Sequence, residues 1–397
     1  MADKDVETWI PFRPDADDLK RIGDEVAAVS DIQKTLVARH EDLRCPDRVA
    51  HQYQIAGSKV VLVVDESLPA PLHGVGLFEP RAEHVGVGRI STGVGSPHLE
   101  TNPDFLGAML AFQTKDRQRV DILAINDAAA PTDSHRDFID VLHATGESAG
   151  AELPLVGRWG EYDVFNIVAE QKELAEALKN RMGWIKAGKT LAHLTKQSIR
   201  TVFSSTAYQT YWTGIEEIGG AAGKLTLVPT RDENAKPEFR PGERHLTEEW
   251  RRRQKEGDVE FLLYWIAYLD EARTPTKTLT DRWEEGHKER VGVVRFPRTD
   301  PDSGEARLWA ILASEMGANP GNWVHDKANS IKEPATEFGV ARKIAYRKSQ
   351  EGRGALEPRW YESVFETGEI GPELARELKR RREEKDVAGH TSWSPSR

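Results

Sequence analysis

Three short clusters of residues carry side chains that could bind a metal and move protons beside it. The first is Arg48–His51, the second is Gly88–Thr92 with Asn126 further along, and the third is Ala341–Tyr346 followed by Arg353. Histidine can exchange a proton near neutral pH, an asparagine amide can donate a hydrogen bond, and a tyrosine phenolate can bind iron. Each cluster alone is weak evidence, because an arginine and a tyrosine four residues apart usually mark ordinary helix packing and Asn-Asp usually marks a turn. The informative property is that all three occur in one chain.

The order and intervals of the clusters resemble those of the haem-dependent catalase superfamily. Arg89 follows His51 by 38 residues, and Asn126 follows it by 75. The chain is most similar to the short, catalase-related branch, which comprises catalase-like peroxidases and allene oxide synthase-like proteins. The resemblance covers roughly residues 45–355. It implies a haem b cofactor whose iron is bound by Tyr346.

The resemblance also implies roles for individual residues. His51 and Asn126 are the expected catalytic residues on the distal side of the haem, and Tyr346 is the expected iron ligand. Ser91 or Thr92 would bond the second ring nitrogen of the catalytic histidine and so determine its tautomer. The residues expected to bind the cofactor are Arg48, Arg89, Ser91, Thr92, Phe138, Arg342, Tyr346 and Arg353.

The chemistry of peroxide activation explains why these residue types belong together. Tyrosine binds ferric iron well only as a phenolate, and Arg342, one helical turn before Tyr346, supplies a charge that favours this anion. An anionic axial ligand in turn promotes cleavage of the peroxide O–O bond. On the opposite face, neutral His51 would accept a proton from peroxide and return it to the leaving oxygen, while Asn126 would donate a hydrogen bond to the peroxide. The remaining arginines would bind the haem propionates, since a planar guanidinium suits a carboxylate.

A second histidine resembles the distal one and has to be weighed against it. His73, in the segment Leu72–Gly74, lacks an arginine three residues earlier, where Ala70 stands. It also lies only 16 residues before Arg89, which is too short for the hairpin that the family has there. We therefore prefer His51.

Departures from the family pattern beside His51 leave the second substrate open. Ala50 stands where the family has valine, and Gln52–Gln54 replace a glycine-rich stretch. Both changes are expected to reshape the distal pocket. A narrow catalase channel excludes organic molecules, so a reshaped pocket makes an organic substrate more plausible. The leading interpretation is a peroxide-dependent haem oxidoreductase acting on hydrogen peroxide or an organic hydroperoxide. A fatty-acid hydroperoxide isomerase or lyase, a tailoring enzyme of secondary metabolism acting on a small organic substrate, and a non-catalytic haem carrier or sensor are the alternatives.

Hydrophobic spacing predicts the helices and strands on which these residues lie. Helical spacing over residues 15–43 predicts an N-terminal arm, and helices are also predicted over Phe165–Ala187 and Pro372–Lys385. Short apolar or alternating runs bounded by turn residues predict strands. These runs are Val60–Val64, Gly86–Thr92, Leu106–Phe112, Val120–Ile125, Leu225–Val228, Phe261–Leu269, Val291–Phe296 and Leu308–Leu312.

The predicted fold class is α+β, an antiparallel β-barrel with helical arms. We assign residues 1–45 to the N-terminal helical arm, 46–355 to a catalase-like haem-binding β-barrel domain, and 356–397 to a C-terminal helix and polar tail. The resemblance implies that a C-terminal helix carries Tyr346, the expected iron ligand.

Composition narrows the class of protein further. The chain has 397 residues, with 55 basic against 65 acidic residues and a net charge of −10, so binding to nucleic acid is not expected. Its single cysteine, Cys45, allows no intrachain disulfide, which fits a cytoplasmic protein. The N-terminus lacks the apolar stretch of a signal peptide, and the longest apolar run is too short for a membrane span. The short N-terminal arm favours a homodimer over a larger assembly.

Overall fold

The structure, a computed structural model, describes residues 9–39, 47–93, 95, 100, 104–147, 174–202, 205–230, 244–322 and 336–387. The strands in these stretches form one antiparallel sheet of nine strands. They are β1 (Gln54–Val64), β2 (Glu83–Thr92), β3 (Leu106–Gln113), β4 (Arg119–Ile125), β5 (Tyr211–Thr213), β6 (Glu216–Ile218), β7 (Ala221–Pro229), β8 (Val259–Ala267) and β9 (Glu289–Phe296).

Eight of these strands close into a barrel. Their order is β5-β4-β3-β2-β1-β9-β8-β7, and β5 closes the ring because Tyr211 pairs with Leu227 on β7. Strand β6 forms a hairpin with β7 through Gly219 and Gly220, whose φ angles of 60° and 77° suit glycine. The predicted α+β fold with an antiparallel β-barrel is confirmed.

The barrel interior is filled by apolar side chains. Side chains alternate between the two faces of a strand, so one face of each strand points inward. Leu62, Leu110 and Leu263 have no exposed surface, and Phe261 and Phe296 pack with them in the same buried cluster. A dry, filled interior makes the barrel a rigid support for residues at its strand ends.

Helices cover the outside of the barrel. They are α1 (Ala16–Glu25), α2 (Val29–Arg39), α3 (His135–Glu147), the described part of α4 (residues 174–182), α5 (Trp184–Val202), α6 (His245–Glu256), α7 (Gly304–Glu315), α8 (Glu337–Gly352), α9 (Glu362–Thr367) and α10 (Pro372–Val387). Helices α1 and α2 pack against α8, and α2 also packs against α3. Helix α7 lies on β1 and β2, with α10 against its other side. Among the described helices, none has the length and apolar character needed to cross a membrane.

Most of the predicted elements exist, and the differences have physical reasons. The run Leu308–Leu312, predicted as a strand, lies inside α7, which Ser303 caps by accepting a hydrogen bond from the backbone N–H of Ala306 at 3.1 Å. The strand prediction is wrong because a short, fully buried apolar run looks the same in a helix and in a strand. Strands β5 and β6 were not predicted, since three residues are too few to show alternation.

The predicted helices also differ from the structure in their limits. The N-terminal helical spacing is divided into α1 and α2 by a 3₁₀ turn at Val26–Ala28. The predicted helix over Phe165–Ala187 falls partly on residues outside the described ranges, and its remaining part includes α4 and the first turn of α5. The predicted C-terminal helix corresponds to α10.

Candidate functional site

A cavity lies between the barrel and helices α3 and α8. The cavity has a volume of about 330 Å³, and its wall is mostly apolar. Strands β2 to β5 and the loop before β1 form one side, which we call the barrel wall. Helix α8 forms the opposite part, which we call the helix wall, with Ala341, Arg342, Ala345 and Tyr346 facing the space.

Eight of the ten residues predicted for the site line this cavity. They are Arg48, His51, Arg89, Ser91, Phe138, Arg342, Tyr346 and Arg353. The other two, Thr92 and Asn126, are not in its wall. Exposed His73 lies in the turn region after β1 and does not line the cavity, so the structure gathers the cluster around His51 instead.

His51 is held in a strained backbone conformation. Its φ angle is 58°, in the left-handed region that residues with a Cβ rarely adopt. The backbone N–H of His51 donates to the Gly93 carbonyl at 2.8 Å, and its own carbonyl accepts from Arg89 Nη2 at 2.7 Å. Strain of this kind persists only where surrounding contacts hold it, and it is concentrated at functional sites.

The imidazole ring of His51 is equally constrained. Its Nδ1 lies 3.0 Å from the backbone carbonyl oxygen of Thr92 and 3.3 Å from Ser91 Oγ. Because a carbonyl only accepts hydrogen bonds, Nδ1 carries the proton and Nε2 has a free lone pair. One ring face rests on Gly107, where an added Cβ would come within 2.4 Å of Nδ1. Thr92 therefore acts through its backbone, while the sequence had suggested a hydroxyl.

The charge state of His51 follows from its surroundings. Burial, and then the positive charge of Arg89, lower the pKa of the imidazole to about 4. The ring is consequently neutral at physiological pH, with its lone pair on Nε2. This is the state that a general base needs.

The helix wall presents a tyrosine next to an arginine. Arg342 and Tyr346 are one turn apart on α8, and the Arg342 guanidinium carbon lies 5.8 Å from the centre of the tyrosine ring. Gly214 leaves space for this arginine, since a Cβ there would come within 2.9 Å of Arg342 Nη1. Thr336 caps the N-terminus of α8, because its side chain accepts a hydrogen bond from the Gly339 N–H. Near the other end of α8, the Gln33 side chain of α2 donates to the Ser349 carbonyl at 3.1 Å. The helix wall is thus anchored at both of its ends.

Arg48, Arg89 and Arg353, which we call the arginine cluster, meet beside the cavity. Arg48 Nη2 donates to the Ser314 carbonyl at 2.6 Å, and Arg353 Nη2 donates to the Met316 carbonyl at 2.8 Å. Burial, and then the charge of Arg48, lower the pKa values of Arg89 and Arg353. The pKa of Arg353 falls to about 9. Positive charge has therefore accumulated at this place, where an anion would stabilise it.

Asn126 and its neighbour Asp127 face different surroundings at the end of β4. Asn126 Oδ1 accepts from the Leu106 N–H at 2.8 Å, and its Nδ2 lies 3.5 Å from Gln209 Oε1. Asp127 lines the cavity instead. The chain bends at Asn126, directly after β4 ends at Ile125, so the Asn126 side chain bonds to the backbone of Leu106 while Asp127 reaches the cavity wall. Sequence reasoning missed Asp127, and also Lys224 on β7, which lines the same cavity.

The fold that carries this site is similar to that of solved catalases. A bacterial catalase has a TM-score of 0.58 at 17% identity, over 78% of this chain and 58% of the catalase chain. A fungal catalase has a TM-score of 0.55 at 13% identity, over 78% and 60% of the two chains. Catalase A from Saccharomyces cerevisiae has a TM-score of 0.56 at 14% identity, over 80% and 62%. The chain has a catalase-like fold.

This similarity is one of structure. No protein-family model and no curated protein matches the chain. The chain spans about three fifths of the length of the catalases it matches. The fold is therefore shown by the comparisons, and the function has to be argued from the site.

Proposed function

We propose that the protein binds haem b in the cavity and is a peroxide-dependent oxidoreductase of the short, catalase-related kind. One observation carries the proposal: a single cavity has neutral His51 in its barrel wall, Tyr346 in its helix wall and the arginine cluster beside them. We further propose that the protein is a cytoplasmic homodimer, as the sequence indicates.

The residues fit a flat group that carries two carboxylates. Among the described residues, Asp47 and Glu315 are the carboxylates that interact with the arginine cluster. Glu315 is already paired with Arg381 at 3.0 Å and with Lys385 at 2.6 Å. The cluster thus has more positive than negative charge, and two propionates would balance it. Gly107 and the alanines of α8 keep both walls flat enough for a planar ring.

In this proposal Tyr346 supplies the axial ligand. The Arg342 guanidinium lies beside the Tyr346 ring, 5.8 Å from its centre, so both side chains are part of the same helix wall. When bound, haem supplies an iron centre that peroxide can oxidise with cleavage of the O–O bond. Phe138 of α3 lines the cavity and packs against Phe338 with ring centres 5.7 Å apart, which makes it a suitable apolar contact for the ring edge or face.

His51 would carry the proton chemistry. Its Nε2 lone pair accepts the proton of hydrogen peroxide, and the resulting imidazolium returns that proton to the oxygen that leaves as water. Ser91 and the Thr92 carbonyl hold the ring through Nδ1, so Nε2 is aimed in one direction during both transfers. Gly107 leaves the space that the ring occupies.

An organic hydroperoxide is a second candidate substrate. The cavity wall is mostly apolar and extends beyond the clusters to Leu174, Leu279 and Trp212. An apolar extension favours an alkyl or aromatic group over hydrogen peroxide alone. Isomerisation or cleavage of a fatty-acid hydroperoxide is the corresponding alternative activity.

Reconstitution of the purified full chain with haem tests the proposal. The absorption spectrum is expected to show a phenolate-ligated ferric haem at one equivalent per chain. Hydrogen peroxide and a fatty-acid hydroperoxide are then supplied separately, and oxygen release, oxidation of an added electron donor and isomerised lipid are measured. Failure to bind haem contradicts the proposal as a whole. Bound haem that reacts with neither peroxide supports the carrier or sensor alternative.

A further inference from the structure

Asp127 is a buried acid in the cavity wall to which the proposed function gives no task. Its side chain is only 1% exposed. Oδ1 accepts a hydrogen bond from the Ala129 N–H at 3.2 Å, whereas no straight hydrogen bond reaches Oδ2 from the described residues. A buried carboxylate is costly unless neighbouring groups compensate its charge, so the partner of this oxygen matters.

His193 of α5 is the neighbour of this oxygen. Its Nε2 lies 3.0 Å from Asp127 Oδ2, at ion-pair distance, although the N–H direction misses the oxygen. The His193 side chain is 29% exposed and stacks on Phe105, with ring centres 6.3 Å apart. The pair therefore joins a group in the cavity wall to a group in contact with solvent.

Two other charged groups, Arg282 and Lys224, lie around the pair. Arg282 Nη2 lies 3.5 Å from Asp127 Oδ1. Lys224 donates to the Ala128 carbonyl at 3.2 Å, lies over the ring of Trp283, and has its pKa lowered by burial to about 8. Burial alone would raise the pKa of Asp127, but the contacts with His193, Ala129 and Arg282 outweigh it and the net pKa is lowered. Asp127 is thus ionised and able to accept a proton briefly.

We propose that Asp127 and His193 form a proton path between the cavity and solvent, which serves oxidation of an electron donor by peroxide. The proposal rests on the proposed function and deepens it. Reduction of hydrogen peroxide to two waters by an electron donor takes up two protons and two electrons, whereas disproportionation of peroxide needs no net proton. Polar groups that connect the mostly apolar cavity wall to solvent, as Asp127 and His193 do, can supply those protons.

Each transfer moves one proton and no electrons. A solvent proton adds to His193 at Nδ1 while its Nε2 proton passes to Asp127 Oδ2. Asp127 then gives this proton to an oxygen in the cavity and returns to the carboxylate. His193 is left neutral with its proton on Nδ1 and resets by exchange with water.

Ferrocyanide as electron donor separates the two reactions, because it supplies electrons without protons. We expect His193→Gln in the haem-loaded full chain to slow ferrocyanide oxidation by about 10²-fold, the lower end for loss of a proton-transfer group. Oxygen release from hydrogen peroxide alone should stay within about twofold. Added 2-methylimidazole should restore ferrocyanide oxidation, since a small base can replace the missing ring. The matched control is His73→Gln, which changes an exposed histidine outside the cavity wall.

A purely structural role would give a different result. If both reactions fall together, or if 2-methylimidazole restores nothing, His193 only supports the fold and the proposal is overturned. An unchanged ferrocyanide rate overturns it as well.

A measurement without haem keeps this test distinct from that of the proposed function. In the haem-free full chain, NMR of labelled aspartate follows the titration of the Asp127 carboxyl. The signal of Asp127 is assigned as the one that is missing in Asp127→Asn. His193→Gln should raise the pKa of Asp127, because His193 is one of the groups that lower it, and His73→Gln should not. A chain without peroxide activity refutes the proposed function, and an Asp127 titration that His193→Gln leaves unchanged refutes the pair.

Discussion

The two walls of the cavity differ in how completely the polypeptide itself holds them. In the barrel wall, His51 has hydrogen bonds at its backbone N–H, its carbonyl and its Nδ1, and it keeps a left-handed backbone. In the helix wall, no hydrogen bond from the described residues reaches the Tyr346 hydroxyl, and Arg342 lies over its ring at 5.8 Å. The hydrogen-bonding groups of His51 in the barrel wall are held by the polypeptide itself. The Tyr346 hydroxyl in the helix wall is left available to a ligand.

This difference assigns separate tasks to the walls. A preorganised group avoids the cost of reorganisation at the moment of reaction, so changes in the barrel wall should alter rate more than affinity. If Tyr346 binds iron as proposed, it contributes mainly to cofactor affinity. Substitutions in the two walls should therefore separate haem binding from peroxide reactivity.

The largest effect is expected at Tyr346. Tyr346→Phe removes the only atom of this side chain that could bind iron, so most of the haem should be lost and the phenolate signature should disappear. Haem titration followed by absorption measures both, with Tyr264→Phe on β8 as a control. Full haem binding with an unchanged spectrum in Tyr346→Phe would show that the third cluster is ordinary helix surface.

The next effect is expected at His51 and concerns rate. His51→Ala should keep haem, because its ring makes no iron bond in the proposal, and should slow the reaction with peroxide by at least about 10²-fold. Rapid mixing with hydrogen peroxide measures the first step of that reaction. His73→Ala is the control, since its exposed side chain is absent from the cavity wall. A slow reaction with peroxide in His73→Ala and a normal one in His51→Ala would show that His73, and not His51, is the catalytic histidine.

The same contrast separates what could be predicted from sequence from what could not. Residue types in three clusters, taken together with their intervals, predicted His51 and Tyr346 through the family resemblance. Alternation predicted the long strands, because that signal is local. The choice between Asn126 and Asp127 was not local. It depends on which of two adjacent side chains points to the cavity where β4 ends, and that is determined by pairing with β3 and by Gln209.

Other differences between prediction and structure arise where a backbone atom, and not a side chain, makes the contact. The Thr92 carbonyl holds the imidazole, while the Thr92 hydroxyl is buried without a hydrogen bond from the described residues. A sequence shows side chains, and every residue has the same carbonyl, so no pattern could have predicted this contact. The pairing of Asp127 with His193 likewise joins residues 66 positions apart, which no spacing rule connects.

A smaller effect is expected from Gly107, which tests whether the barrel wall is preorganised. In Gly107→Ala the new Cβ would come within 2.4 Å of His51 Nδ1 and Cε1, so the ring has to move and its bond to the Thr92 carbonyl weakens. We expect the peroxide reaction to slow by about tenfold with little change in haem affinity, because only orientation is lost. Gly23→Ala on α1, which meets nothing within 4 Å, is the control. Equal loss of haem and rate would mean that the two walls are not independent.

The smallest effect is expected from pH, and it tests the charge state of the barrel wall. Burial and then Arg89 lower the pKa of His51 to about 4, and only the neutral ring can accept a proton from peroxide. The rate constant for the reaction with peroxide should therefore be level from about pH 8 down to about pH 5, and should fall as the pH drops through 4. Arg89→Gln removes a charge that lowers the His51 pKa, so the rate constant of this variant should begin to fall at a higher pH. Haem-loaded Arg342→Lys keeps a cation at its position, so its rate constant should have the same pH dependence as that of the unchanged protein. Rapid mixing across buffers measures all three profiles. A parent rate that already halves near pH 6.5, the ordinary value for a solvated imidazole, would mean that the ring acting on peroxide is not the buried, neutral His51 of the barrel wall.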